Sequence, residues 1–265
     1  MKIITLTTDF GLRDGYAGVL KGVIWSIAPD AQIADITHEI SPQNVMEGAL
    51  TLGRVAAYFP PGTVHLGVVD PGVGTNRRPI AARLGGQFFV GPDNGLFTTL
   101  VVRAEKEAQA VEVVHLSRSD YWLTEVSNVF HGRDIFAPCA AHLANGMPLG
   151  MLGEVISDAV RLELPAPIRL ENGWRGQVTS IDHFGNLSTN LDRQTLSEML
   201  VGRVTIGKAT IKDLVRTFGE GNPGQLVAMI DSSNALSIAL VNGNAAEKLH
   251  ARIGDIVEVL SADKE

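Results

Sequence analysis

The feature that most constrains this chain is a change of pattern near Gly150. Before it, short apolar runs alternate with segments of helical periodicity. After it, strand-like runs follow one another with few helical signals between them. Ile3 to Thr7, Gln32 to Ile36, Val64 to Val69 and Val111 to Leu116 read as strands. Pro79 to Leu84 and Gln87 to Val90 read as a pair joined across Gly85-Gly86. Gly15 to Ile27 reads as a helix, with Val19, Val23, Trp25 and Ile27 on its apolar face and Pro29 just beyond. Ser41-Pro42-Gln43-Asn44 opens a second helix, with Ser41 as its N-cap and Pro42 in its first turn. Asp134 to Leu143 reads as another, ending near Gly146. Such alternation predicts a mostly parallel, Rossmann-like sheet covered on both faces.

Leu164-Pro165-Ala166-Pro167 then reads as a stiff linker. Beyond it, Arg175 to Ile181, Asn186 to Asn190, Val201 to Ile206, Leu226 to Ile230, Ala235 to Val241 and Asp255 to Leu260 read as strands. Leu191 to Leu200 and Ala245 to Leu249 carry the helical signals of this half. The expectation is an α/β domain over 1–160 and a small all-β barrel domain over 168–265.

Composition excludes several classes of function. The 22 basic residues are outnumbered by 29 acidic ones, a formal net charge of −7, and no basic run exceeds Arg77-Arg78. Sequence-independent nucleic-acid binding needs clustered cations, so no nucleic-acid partner is expected. No apolar run approaches the length of a membrane span, and the N-terminus turns polar too soon for a signal peptide. Cys139 is the single cysteine, which excludes an intrachain disulfide and a multi-cysteine zinc site; a cytoplasmic location follows as the default.

Four polar clusters carry candidate chemistry. Thr8-Asp9-Phe10-Gly11 ends the first strand, where ligands of open α/β sheets sit, and a carboxylate there can accept hydrogen bonds from both hydroxyls of a ribose. Asp9 capping a turn is an equal alternative. Val69-Asp70-Pro71-Gly72-Val73-Gly74-Thr75-Asn76-Arg77-Arg78 ends an apolar strand in a carboxylate and a Pro/Gly-rich loop, which can return Arg77 or Arg78 toward Asp70. It lacks the Gly-Lys-Ser/Thr ending of a phosphate-cradling loop, and a structural ion pair is its plain reading. Phe130-His131-Gly132-Arg133-Asp134 sets a histidine before a helix, where neutral imidazole is favoured; a base, a metal ligand and a hydrogen-bonding core residue are its open readings. Asp182-His183-Phe184-Gly185-Asn186 is either a tight turn or a loop that stacks Phe184 on a purine, with hydrogen bonds from Asp182 and Asn186. The aspartates lack helical ligand spacing, so no metal is expected. Cys139, within an apolar helix, reads as core.

Taken in order, Thr7-Thr8-Asp9-Phe10-Gly11, Val69-Asp70-Pro71-Gly72-Val73-Gly74-Thr75, Gly91-Pro92-Asp93-Asn94-Gly95, Phe130-His131-Gly132-Arg133-Asp134 and Ile181-Asp182-x-Phe184-Gly185-Asn186 resemble the S-adenosyl-L-methionine hydroxide adenosyltransferase family, from Met1 to about Val257. These are hydrolases that release adenosine and L-methionine, related to fluorinase and chlorinase. The resemblance implies an N-terminal α/β domain, a C-terminal β-barrel, and a homotrimer whose active sites lie between the N-domain of one subunit and the C-domain of its neighbour. It implies no cofactor. It places the catalytic Asp–Arg–His set on Asp70, Arg77 and His131, and the ribose-binding aspartate on Asp9. Adenine and methionine contacts fall on Asp182, Phe184, Asn186 and Ser232, with Ser237 and Leu240 on the strand that follows. Three other readings compete: a halide-dependent transferase, a non-catalytic S-adenosyl-L-methionine or adenosine binder, and a metal-dependent phosphoesterase. Asp70 and His131 argue against the first, because a carboxylate beside the nucleophile repels a halide.

Overall fold

The computed structural model describes residues 2–212 and 214–262. Contacts divide the chain into two compact units, Met1–Glu163 and Leu164–Glu265. The first holds strands β1 (Ile3–Thr8), β2 (Gln32–Thr37), β3 (Val64–Val68), β4 (Pro79–Leu84), β5 (Gln87–Pro92), β6 (Val111–His115) and β7 (Glu154–Ile156). They form one sheet in the order β2-β1-β3-β5-β4-β6-β7. The sheet is mixed, which corrects the expectation of a mostly parallel, Rossmann-like one. Strands β2, β1, β3 and β5 run parallel, whereas β4 pairs antiparallel with β5 and β6, and β7 antiparallel with β6. The cause is local: Gly85-Gly86 leaves two residues between β4 and β5, and only a hairpin closes so short a connection, since a parallel pair needs a crossover.

Helices α1 (Tyr16–Ile27), α2 (Val45–Val55), α3 (Thr98–Lys106) and α4 (Ala137–Ala144) cover this sheet. Leu20 and Ile24 of α1 share one core with Ile4, Leu66 and the Phe136–Ala141 segment. Leu52 of α2 and Leu100 of α3 share a second core with Val69, Ile80 and Phe89. Strand β3, buried along its whole length, needs both covers. The buried stripe of α1 is Ala17, Leu20 and Ile24, at helical spacing; Val19 and Trp25, expected on that face, are exposed. Helix α2 begins three residues later than expected. Gln43 has a φ of 66°, which no helix accommodates, and Asn44 is the cap, its side chain accepting from Glu47 N–H. The expected Asp134–Leu143 helix instead opens with a wide π-type turn, Gly132–Phe136.

The second unit holds β8 (Ile168–Leu170), β9 (Gly173–Ile181), β10 (Leu187–Asp192), β11 (Val201–Ile206), β12 (Ala209–Lys212), β13 (Leu226–Ile230), β14 (Ala235–Leu240) and β15 (Ile256–Ser261), with helix α5 (Ala245–Leu249). The path β12-β11-β15-β9-β10-β14-β13 is antiparallel throughout. Alternate residues Val204 and Ile206, Leu236 and Ile238, and Val257 and Val259 fill its interior. Val215 N–H donates to Ala228 O at 2.9 Å, tying the segment after β12 to β13 and bringing the sheet close to a barrel. Leu191–Leu200 is not helical. Asp192 takes the Thr195 N–H and hydroxyl on its carboxylate, and the segment between β10 and β11 closes as turns.

Candidate active site

Parallel pairing brings the carboxyl ends of β2, β1, β3 and β5 to one edge of the sheet. Thr8 is in register with Val68, so Asp9 and Asp70 leave adjacent strand ends. Beyond β3 the chain turns through Val73 N–H to Asp70 O and Thr75 N–H to Gly72 O. Gly74 has a φ of 75°, and a Cβ there would lie 2.2 Å from Asn128 O, so glycine lets this loop press against the segment that leads into His131.

The loop returns Arg77 to Asp70. Its Nε donates to Oδ1 at 3.0 Å and its Nη2 to Oδ2 at 2.5 Å, a bidentate pair. Both side chains are buried, 8% and 6% exposed. Nη2 also donates to His131 Nδ1 at 2.9 Å, so Arg77 bridges the carboxylate and the imidazole. Arg78 turns the other way, to Asp93 and Asp158, so of the two arginines Arg77 serves Asp70.

This geometry fixes the histidine tautomer. A guanidinium has no acceptor, so His131 Nδ1 must accept, and the proton of the neutral ring sits on Nε2. Burial first, and then the Arg77 charge, hold the imidazole pKa below its ordinary value. Burial also raises the Asp70 pKa, outweighing the opposing pull of Arg77. The result is a carboxylate with heightened proton affinity beside an imidazole kept neutral. Arg77 Nη1 is buried without a hydrogen-bond partner among the described residues, a further donor in this cluster.

Asp9 lies on the same sheet edge. Its Oδ2 accepts from Gln43 N–H at 2.8 Å, which accounts for the left-handed Gln43 and the late start of α2. Phe10, Tyr16 and Phe130 pack edge to face, with ring centroids 5.3 to 5.9 Å apart, joining the Asp9 loop to the residue before His131. Asp134 is fully buried and holds Arg133 and Ser127 N–H. Among the described residues, no group of three or more His, Cys, Asp or Glu is placed to hold a metal ion. Cys139 is buried, its thiol pushed up to about 12. A separate apolar cavity of about 360 Å³ lies between α3 and strands β4 and β6, and none of these site residues lines it.

In the second unit, Asp182, Phe184 and Asn186 share one turn between β9 and β10. Asp182 Oδ1 accepts from the N–H groups of Phe184 and Asn186, and Oδ2 from Asn186 Nδ2. Both carboxylate oxygens therefore build the turn, and Phe184 stands out from it, 72% exposed. Gly185 has a φ of 81°, and a Cβ there would strike Asn244 at the start of α5. Ser237 is buried on β14 opposite Ser188, and Leu240 is half-buried against the barrel interior. Ser232 lies on the exposed β13–β14 turn. That turn adjoins the far end of β10, since Asp192 pairs with Ala235. Asp231, the residue before Ser232, also reaches the start of β10, where Ser188 Oγ donates to its Oδ2 at 3.1 Å, two residues past Asn186.

Sequence reasoning passed over His38, which follows β2 and backs the Asp9 loop through Thr8. The signal for it was its place at the carboxyl end of a parallel strand, the same rule that singled out Asp9 and Asp70.

Comparison with known proteins places the chain as a whole. The model of the SAM hydroxide adenosyltransferase N-terminal domain matches residues 4–153, and that of the C-terminal domain matches residues 176–258. A relative from Salinispora tropica named (R)-S-adenosyl-L-methionine hydrolase is 38% identical, over 97% of each chain. A relative from an Actinoplanes species named fluorinase is 30% identical over 98% of each. The crystal structure of an uncharacterized conserved protein from Thermotoga maritima superposes with a TM-score of 0.89 at 39% identity, covering 97% of this chain and 99% of that one. Matched in both halves and along nearly its whole length, the chain belongs to the SAM hydroxide adenosyltransferase family.

Proposed function

We propose that this protein is an enzyme that hydrolyses S-adenosyl-L-methionine to adenosine and L-methionine, by attack of water on the ribose 5′ carbon. The observation that carries this reading is the Asp70–Arg77–His131 cluster, in which Arg77 bridges the carboxylate and the imidazole. As the new C–O bond forms, the C–S bond breaks and its electron pair stays on sulfur, so methionine leaves as a neutral thioether and needs no general acid. The water must lose one proton. Asp70, with its raised pKa, accepts it and passes it to solvent. His131 does not serve as the base, because Nδ1 is occupied by Arg77 and Nε2 already carries a proton. Its Nε2–H instead donates to the water oxygen and orients it. Arg77 keeps Asp70 ionised until the transfer. Holding the nucleophile in line with the departing sulfur can itself remove roughly 7–11 kcal/mol from the barrier.

The rest of the assignment belongs to the same proposal. Asp9 takes the ribose hydroxyls, Phe184 stacks on adenine, and Asn186, Ser232, Ser237 and Leu240 complete the adenine and methionine contacts. Asp182 acts on the ligand through the turn it holds. The working protein is a metal-independent, cytoplasmic homotrimer.

The test is to incubate purified protein with S-adenosyl-L-methionine in metal-free, halide-free buffer and separate the products. Adenosine and methionine in equal amounts are expected. Intact substrate retained on the protein would overturn hydrolysis in favour of binding alone. The likeness to the fluorinase supplies the other arm: halogenated adenosine on adding chloride or fluoride would reassign the nucleophile.

A further inference from the structure

The loop that carries Asp9 is exposed over residues 12–15, with Leu12 71% exposed. Besides the packing of Phe10 and the Asp9–Gln43 bond, it is held from below. Thr8, fully buried, accepts from Phe10 N–H at 3.2 Å on Oγ1, and the same oxygen lies 2.8 Å from His38 Nδ1. His38 O accepts from Gly11 N–H at 2.7 Å, so one buried residue grips the loop by side chain and backbone together. On the far side of the ring, His38 Nε2 lies 3.2 Å from Asp35 Oδ1, off the line of a well-aligned hydrogen bond. The other oxygen of Asp35 accepts from Lys21 Nζ at 2.6 Å. Lys21 sits on α1, into which the same loop runs. Both anchors of the Asp9–Gly15 loop therefore converge on one carboxylate.

We propose that His38 and Asp35 form a positioning unit that holds the Asp9 loop in its ligand-ready shape, through Thr8 at its start and α1 at its end. With Nε2–H turned toward Asp35, Nδ1 accepts from the Thr8 hydroxyl, and Thr8 Oγ1 is left to accept from Phe10. The polarity runs one way, from the Phe10 amide to Asp35, and each member fixes the next. Neither His38 nor Asp35 touches the reacting atoms. The effect of losing them falls on nucleoside affinity, and this part rests on reading Asp9 as the ribose ligand.

The variants are His38→Leu, which removes both ring nitrogens, His38→Asn, which keeps a polar atom near the Nδ1 position, and Thr8→Val, which keeps shape and removes the hydroxyl. His38→Leu and Thr8→Val should each raise KM for the substrate roughly tenfold, the effect of one lost buried hydrogen bond, with kcat changed less than about twofold. His38→Asn should recover much of the loss. The double variant should be no worse than the poorer single one, because both break the same link. Unchanged KM in folded variants, or fully additive losses, would overturn the proposal. Amide hydrogen exchange provides a readout independent of activity: Phe10 and Gly11 should exchange faster in His38→Leu than in the parent, and equal rates would overturn the positioning unit by themselves. Adenosine binding by Asp9→Ala separates the two claims. Binding indifferent to that change removes the ribose reading, while the exchange rates still decide on His38.

Discussion

The two units build their polar loops in opposite ways. In the first, one loop supplies Asp70 and Arg77 and a distant segment supplies His131, so that the Arg77–His131 contact joins residues 54 apart in sequence. In the second, the Asp182 turn closes on itself, each of its side-chain bonds spanning four residues or fewer. The first arrangement buries charge, which shifts proton affinities and sets up chemistry. The second consumes its charge in holding a backbone shape and leaves an aromatic ring exposed, which sets up recognition. Substitutions in the Asp70 cluster should therefore strike turnover, and those at the Asp182 turn affinity.

The largest effect tests that division directly. Asp70→Asn keeps the size of the side chain and removes the proton acceptor, so kcat should fall by roughly 10²- to 10⁴-fold, the range for loss of a general base. Circular dichroism should show a folded protein. A fall confined to KM would move Asp70 to the recognition side and break the comparison.

A smaller effect follows from pH. Because the folded Asp70 pKa is raised, kcat/KM should climb with pH along a limb above the usual carboxylate range. His131, with its pKa lowered, stays neutral there and adds no inflection near ordinary imidazole values. Asp70→Asn should flatten that limb. For stability, a raised carboxylate pKa contributes fully below the ordinary value and its contribution is lost as pH rises through the raised one. A limb at unperturbed imidazole values in the rate profile would instead make His131 the base.

How much of this was legible depended on whether the cause was local. The Asp70 loop and the return of an arginine could be read from an apolar strand ending in Asp followed by Pro and Gly. So could the 182–186 turn, whose Asp, Gly and Asn are turn residues. The antiparallel half of the sheet was foreshadowed only by the Gly85-Gly86 pair, and the strand–helix alternation around it pointed the other way. The late cap of α2 could not be read at all, because Gln43 is forced into its left-handed conformation by Asp9, 34 residues away. Helix α3 was missed because Thr98–Lys106 is short and mixes β-branched with charged residues. Nothing in sequence spacing could reveal the tautomer of His131, which depends on which nitrogen Arg77 reaches.

In the second unit, Phe184→Ala should raise KM roughly 5- to 150-fold, since stacking one base on an aromatic ring contributes about 1–3 kcal/mol. Its ring is exposed, so the melting temperature should hardly move. Gly185→Ala separates the turn from the ring it presents. A methyl at φ 81° meets Asn244, so this variant should lose about 1–3 kcal/mol of stability, read by thermal melting, and lose affinity with it. A destabilised Gly185→Ala with unaltered KM would show that Phe184 needs no preset turn.

Ser232→Ala carries the smallest expected effect and the cleanest reading. The residue is exposed on the β13–β14 turn, and Asp231 secures that turn through Ser233 and Ala235, with no hydrogen bond from the Ser232 side chain among the described residues. Removing its hydroxyl should leave the fold and the melting temperature untouched. Any change in KM then reports a contact with ligand and nothing else. One neutral hydrogen bond corresponds to roughly a two- to tenfold rise in KM. A rise of that size would mean that the β13–β14 turn and the Asp182 turn serve one ligand, and recognition in this unit would be less local than the Asp182 turn alone suggests. An unchanged KM would confine it to the Asp182–Asn186 turn and remove Ser232 from the site.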